Sequence, residues 1–187
     1  MPINREIEIK FKIDSPAIIR GKLKNQGAKF IGKAFERTLL FDTSKREFSN
    51  SGRFLRIRTG FKNALTFKRK IDNKKFKERE EIEVEISDPE KMKTILEKLG
   101  FTKAYIMEKY REKWQFNNAE IDIDKLPFGT FIEIEGSPRT IQKTAKILGL
   151  DPQKGITITY QALWEELTKK RGIKYGNIIF KYGSKEK

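Results

Sequence analysis

From Glu6 to Phe11 the chain reads Glu-Ile-Glu-Ile-Lys-Phe, a strict alternation of ionic and apolar side chains. Successive side chains of a β-strand leave opposite faces, so this segment is a strand with one charged and one apolar face. The same period of two marks residues 3–13, 35–43, 53–60, 64–71, 78–86, 105–116, 119–125 and 129–135. Short turns such as Gly60-Phe61-Lys62-Asn63 and Asn117-Asn118 join most of these segments, which predicts antiparallel pairing.

Amphipathic helices interrupt the strands. One opens at Ser87-Asp88-Pro89 and ends before Gly100, with Met92, Ile95, Leu96 and Leu99 on one stripe. Others run from Ser15-Pro16 to Gly27 with Ile19 and Leu23 a turn apart, and from Ser137-Pro138 to Gly149 with Ile141 and Leu148 inward. A further helix starts at Thr159 and carries Tyr160, Leu163, Trp164 and Leu167. A unit of Glu-x-Glu strand, Ser/Asp-Pro, helix and Gly thus recurs, and its spacing suggests duplicated halves. With 187 residues and 14 Phe the chain can bury a core, which favours one domain over residues 1–170 followed by a basic tail at 171–187. No apolar run approaches the roughly 18 residues that span a bilayer. Met1-Pro2-Ile3-Asn4-Arg5-Glu6 lacks a signal-peptide core, so a cytoplasmic protein with no membrane partner is expected.

The charged faces repeat one sign along single strands. Arg56 shares a face with Arg58, Lys68 with Lys70, and Glu81 with Glu83 and Glu85. Lys109, Arg111 and Lys113 form another such row, as do Glu120, Asp122 and Asp124, and Glu133 with Glu135. The ordinary reading of any one row is a solvated outer face. Taken together they resist it, because like charges in register repel unless something offsets them. The amphipathic helices also need an apolar sheet surface to cover. If they cover the apolar side, the ionic side points inward. The expected architecture is therefore α+β: an eight-stranded antiparallel β-barrel, or tunnel, with helices outside and room for one small ligand. Closing it pairs the first and last strands and brings Glu6 and Glu8 beside Glu133 and Glu135.

There is no His and no Cys, which excludes thiolate nucleophiles, His-based triads and zinc sites of the usual N/S kind. Oxygen-only donors select Mg²⁺ or Mn²⁺. Arg and Lys on the same interior suit a chain of phosphates, Arg by bidentate contact and Lys as a point charge. The formal charge of +15 fits a polyphosphate, a nucleic acid or a merely Lys-rich surface. Nucleic-acid grooves are basic with aromatic platforms and have little use for so many carboxylates, so a small-molecule partner is favoured over nucleic acid. Oligomeric state is open, a homodimer being among the outcomes.

Glu6-Ile7-Glu8-Ile9-Lys10 resembles the ExExK signature of the CYTH family, the triphosphate tunnel metalloenzymes. In the family's order, Leu40-Phe41-Asp42-Thr43, Leu55-Arg56-Ile57-Arg58, Leu65-Thr66-Phe67-Lys68 and Arg79-Glu80-Glu81-Ile82-Glu83 resemble its next motifs. Lys109-Tyr110-Arg111, Glu120-Ile121-Asp122, Phe131-Ile132-Glu133-Ile134-Glu135 and Tyr160-Gln161-Ala162-Leu163 follow, so the likeness covers roughly residues 3–168. The resemblance implies a hydrolase of inorganic, thiamine or nucleoside triphosphates, or a class IV adenylyl cyclase. Carried over motif by motif, it implies that Glu6, Glu8, Asp122, Glu133 and Glu135 hold divalent metal. Lys10, Arg56, Arg58 and Lys68 would do catalytic work on the phosphates, and Lys109 and Arg111 would bind them. Glu81 and Glu83 would line the substrate channel. The turn Lys125-Leu126-Pro127-Phe128-Gly129 departs from the commoner Gly-Leu-Gly form, leaving open whether Asp122 or Asp124 faces the site.

In phosphoryl transfer, positioning and charge neutralisation lower the barrier, and no protein nucleophile is needed. With water as attacker the chain would be a triphosphatase. With a ribose 3′-hydroxyl as attacker it would be a cyclase releasing pyrophosphate. Hydrolysis needs only the residues just named, whereas a cyclase also needs a base-reading pocket that no motif here announces. The rival of another class is a non-catalytic polyphosphate or RNA binder using Arg171, Lys174 and Lys181.

Overall fold

The computed structural model describes residues 4–71, 77–174 and 176–181. The alternating segments form strands β1 (Asn4–Ile13), β2 (Lys29–Asp42), β3 (Arg53–Thr59), β4 (Ala64–Ile71), β5 (Lys77–Glu85), β6 (Thr102–Phe116), β7 (Ala119–Leu126) and β8 (Gly129–Glu135). All neighbours are antiparallel, and the order β1-β5-β4-β3-β2-β6-β7-β8 closes into a ring through β1 and β8. One end of β1 pairs with β5, Glu6 opposite Arg79, and the other pairs with β8, Lys10 opposite Glu133.

The helices are α1 (Pro16–Asn25), the single turn α2 (Glu47–Asn50), α3 (Pro89–Lys98), α4 (Pro138–Ile147) and α5 (Tyr160–Lys170). Both halves of the ring therefore read strand, helix, then three strands, as the recurring unit anticipates. The caps follow the sequence signals: Asp88 accepts from the Lys91 amide and Ser137 from the Thr140 amide, with Pro in each first turn. Gly100 (φ 89°) and Gly149 (φ 70°) end their helices in the left-handed region that side chains avoid.

The helices lie outside. Ile19 and Leu23 of α1 and Ile141, Ala145 and Leu148 of α4 pack against Ile9, Phe11, Ile121, Ile123, Ile132 and Ile134 of the sheet. On the far side Leu96 of α3 seals Phe41, Leu55 and Ile57. Apolar burial of this kind contributes about 1.5–3 kcal/mol per large side chain. The apolar face of the strands thus turns outward under the helices, and the charged face turns into the ring.

Three details differ from the sequence expectation. β2 and β6 begin at Lys29 and Thr102, well before the predicted 35 and 105, and their ladder carries irregularities at Phe30/Gly32 and Leu40/Phe41 that interrupt the alternation. The turn α2 has no hydrophobic period of its own. It is held by the Asp42 carboxylate, which accepts from the amides of Thr43, Phe48 and Ser49 and from the Ser49 hydroxyl. On α3 only Leu96 is buried, while Ile95 and Leu99 remain 50% and 69% exposed. Beyond α5 the chain returns to β6: Ile178 is buried, pairs in parallel with Met107 and accepts from the Glu108 amide.

Candidate active site

The ring encloses a cavity of about 790 Å³, within the range of small-molecule sites. Twelve of the thirteen residues expected from the sequence line it: Glu6, Glu8, Arg56, Arg58, Lys68, Glu81, Glu83, Lys109, Arg111, Asp122, Glu133 and Glu135. Lys10 does not. It is fully buried behind the wall, where its ammonium donates to the Ile158 carbonyl at 3.0 Å and lies 3.4 Å from Glu8 and 3.5 Å from Glu133. Its place is that of a strut holding two carboxylates.

Most of the charges are cross-braced. Arg111 reaches three carboxylates at once: Asp122 at 2.6 Å, Asp124 at 2.5 Å and Glu133 at 2.5 Å. Asp124 is completely buried and also accepts from Lys109 at 2.9 Å and from the Tyr160 hydroxyl at 3.1 Å. On the opposite wall Arg58 donates to Glu83 at 3.1 Å, and Lys62 lies 2.6 Å from the same carboxylate. Lys68 pairs with Glu6 and, at 3.0 Å, with Glu81.

The pairing is uneven, and ionisation shows where. Burial raises the Glu83 carboxyl, but Lys62, Arg58 and Thr66 outweigh it and bring the pKa down to about 2. Burial also dominates at Glu135, and there Glu6, Glu8 and Glu120 add to it, pushing the pKa up to about 8. Burial lifts Asp122 to about 7 against the pull of Arg111, while Asp124, in spite of burial, is held well below the usual range by Arg111 and Lys109. Asp122 Oδ1 is buried without a hydrogen-bond partner. The side of the tunnel formed by β1, β7 and β8 thus carries more negative charge than its cations offset.

That surplus suits a hard cation. The donors are all oxygen, one is orphaned, and mutual repulsion is already expressed at Glu135. Among the described residues no group of three or more acidic side chains is placed to hold a metal by itself.

Asp122 and Asp124 share a face of β7, as their spacing requires, but only Asp122 borders the cavity. Several interior residues escaped the sequence reading. Glu36 is 2% exposed and lies 3.5 Å from Lys109, 3.7 Å from Arg111 and 4.0 Å from Arg58. Burial raises its pKa, but these three cations outweigh it and hold the carboxyl low. Arg79 faces the cavity beside Glu81, a position that strand parity alone could have found. Tyr160 enters from α5, with the Lys10 and Lys109 ammoniums 5.2 and 5.6 Å from its ring centroid. No strand period could announce it.

An eight-stranded antiparallel ring with helices outside and an ionic interior defines a tunnel-fold protein. The CYTH domain profile matches residues 4–158, and the chain belongs to that family. A Methanocaldococcus jannaschii protein named "Putative adenylate cyclase MJ0240" is 39% identical over 145 residues, spanning 76% of this chain and 83% of the relative. The PH1819 protein of Pyrococcus horikoshii is 31% identical, with a TM-score of 0.74 over 87% of this chain and 99% of its own. A Hippeastrum protein described as a "putative adenylyl cyclase" with a dominant triphosphatase activity matches at 23% identity and a TM-score of 0.56. It covers 97% of this chain and 92% of its own length, a likeness of fold. Among the described residues no helix is long and apolar enough to cross a membrane.

Proposed function

We propose that the protein is a divalent-metal-dependent hydrolase of triphosphate substrates bound inside the tunnel. The observation that carries this reading is one cavity in which Arg56, Arg58, Lys68, Lys109 and Arg111 face Glu6, Glu8, Asp122, Glu133 and Glu135. The cations would bind phosphate oxygens, the arginines through their forks and the lysines as point charges. Arg56 Nε and Arg58 Nε are buried without hydrogen-bond partners, so both guanidiniums keep donors for a ligand. Lys10 would act through Glu8 and Glu133 by fixing their positions, and Glu36 would likewise space Arg58, Lys109 and Arg111.

Glu6, Glu8, Asp122, Glu133 and Glu135 would hold Mg²⁺ or Mn²⁺, which when bound supplies charge neutralisation and a water of lowered pKa. Mg²⁺ is usually held by one or two carboxylates together with substrate phosphates, so a ready-made cage is not required. Water attack on the terminal phosphorus would release orthophosphate and leave the shortened chain.

The 39%-identical relative's name supports a second reading, adenylyl cyclase, in which the ribose 3′-hydroxyl attacks the α-phosphorus and pyrophosphate leaves. Incubation with inorganic triphosphate, thiamine triphosphate and ATP under Mg²⁺ or Mn²⁺, with products resolved, separates the two. Orthophosphate release abolished by EDTA is the expected result. Cyclic AMP with pyrophosphate would establish the cyclase, and RNA binding indifferent to EDTA with no turnover would overturn both.

A further inference from the structure

The inward face changes character at one end of the tunnel, and it does so on three strands together. On β2 Glu36 and Thr38 give way to Leu40; on β3 Arg58 and Arg56 give way to Phe54; on β6 Arg111 and Lys109 give way to Met107 and Tyr105. Register brings these positions together, since Leu40 lies opposite Tyr105 on one side and Arg56 on the other, and Thr38 opposite Met107. The same change on β7 and β8, from Asp124 to Leu126 and from Glu133 to Phe131, makes ordinary core, because Tyr160 of α5 covers both. Leu40, Phe54 and Met107 differ. They remain partly exposed and line the cavity, together with Tyr105 and Gln161.

Apolar walls are useless to a bare polyphosphate, which loses hydration against them and gains no contact. They suit a flat apolar or aromatic group. Phe54 already carries the Arg79 guanidinium 4.3 Å from its ring centroid, so its surroundings accept a planar cation or ring. Met107 offers a polarizable thioether that adapts to a ring edge, and Gln161 a carbonyl and an amide that could fix its orientation. Arg56, directly opposite Leu40, marks the junction between the phosphate-binding stretch and this end.

Resting on the triphosphate reading above, we propose that Leu40, Phe54, Tyr105 and Met107 form a subsite for an aromatic heterocycle joined to the triphosphate. The preferred substrate is then an organic triphosphate ester and not inorganic triphosphate. The chamber is assembled from single residues on three strands, which is why no motif announces it.

The test compares kcat/KM for inorganic triphosphate, ATP and thiamine triphosphate in the wild type and in Met107→Ala, Met107→Leu and Leu40→Ala. The wild type should prefer at least one of the two esters, and which one identifies the heterocycle. Each alanine variant should lower the ester-to-inorganic ratio about tenfold, as expected for trimming an apolar pocket, and Met107→Leu should restore it. The ratio is insensitive to a partial loss of folded protein, and Leu40→Ala stands in if Met107→Ala fails to fold. An inorganic preference in the wild type, or a ratio unmoved by the alanine variants, overturns the subsite and leaves the triphosphatase reading intact. No turnover of any of the three overturns both.

Discussion

Glu83 and Glu135 are the same residue type on the same inner surface, yet one titrates near 2 and the other near 8. Glu83 stands on the β5 side, where Arg58, Lys62 and Thr66 converge on it. Glu135 stands on β8, opposite Glu8 of β1 on one side and Glu120 of β7 on the other. The tunnel is thus two walls with different tasks. On the β5 wall carboxylates hold cations in place. On the β1–β7–β8 wall carboxylates exceed the cations available, which is the condition under which a divalent ion is bound.

The largest effect should come from the cationic side of the paired wall. Arg58→Ala should lower triphosphate turnover about 10²–10³-fold, the usual loss when one preorganised charge donor is removed, while the melting temperature moves little. Unchanged turnover in steady-state assays would show that this arginine does not meet the substrate.

Asp124→Ala comes next and acts on stability. It strips Arg111 and Lys109 of a fully buried partner, a change that typically costs about 3–5 kcal/mol. Urea unfolding should show it, and a loss within experimental error would mean that the braces around Arg111 re-form without Asp124.

A smaller effect concerns pH. The Glu135 pKa is raised from 4.5 to about 8, and that of Asp122 from 3.8 to about 7, so the folded protein keeps protons that the unfolded chain releases. The stability they contribute is complete below the unfolded values and is lost as pH rises through the folded ones. Glu83 runs the other way: its contribution is present above 4.5 and lost as pH falls toward 2. In EDTA the melting temperature should therefore fall between pH 5 and pH 8, and Glu135→Gln should flatten that fall. An equally steep fall in the variant would place the responsible groups elsewhere.

Much of this was legible because strand alternation carries the sign of each face. All eight strands and the inward turn of the ionic face follow from parity plus the need of the helices for an apolar surface. What parity cannot give is depth. Asp122 and Asp124 share a face, and only the packing of Tyr160 and Lys109 over Asp124 seals one and leaves the other at the cavity. Lys10 shares a face with Glu8, yet the Ile158 carbonyl draws it behind the wall. Glu36 was hidden by its neighbour Arg37, since adjacent charges mask which face is inside. The apolar end was hidden because Leu40, Phe54 and Met107 look like routine core until the register sets them side by side.

The division of labour between the walls is tested most directly by melting wild type, Glu135→Gln and Glu83→Gln in EDTA and again in a few millimolar Mn²⁺. Ligand that binds only the folded state raises its melting temperature by mass action. The account predicts a clear Mn²⁺-dependent rise in wild type and Glu83→Gln and its loss in Glu135→Gln, which should itself melt no lower than wild type in EDTA. An equal rise in all three proteins would place the metal elsewhere and contradict the assignment of the β1–β7–β8 wall.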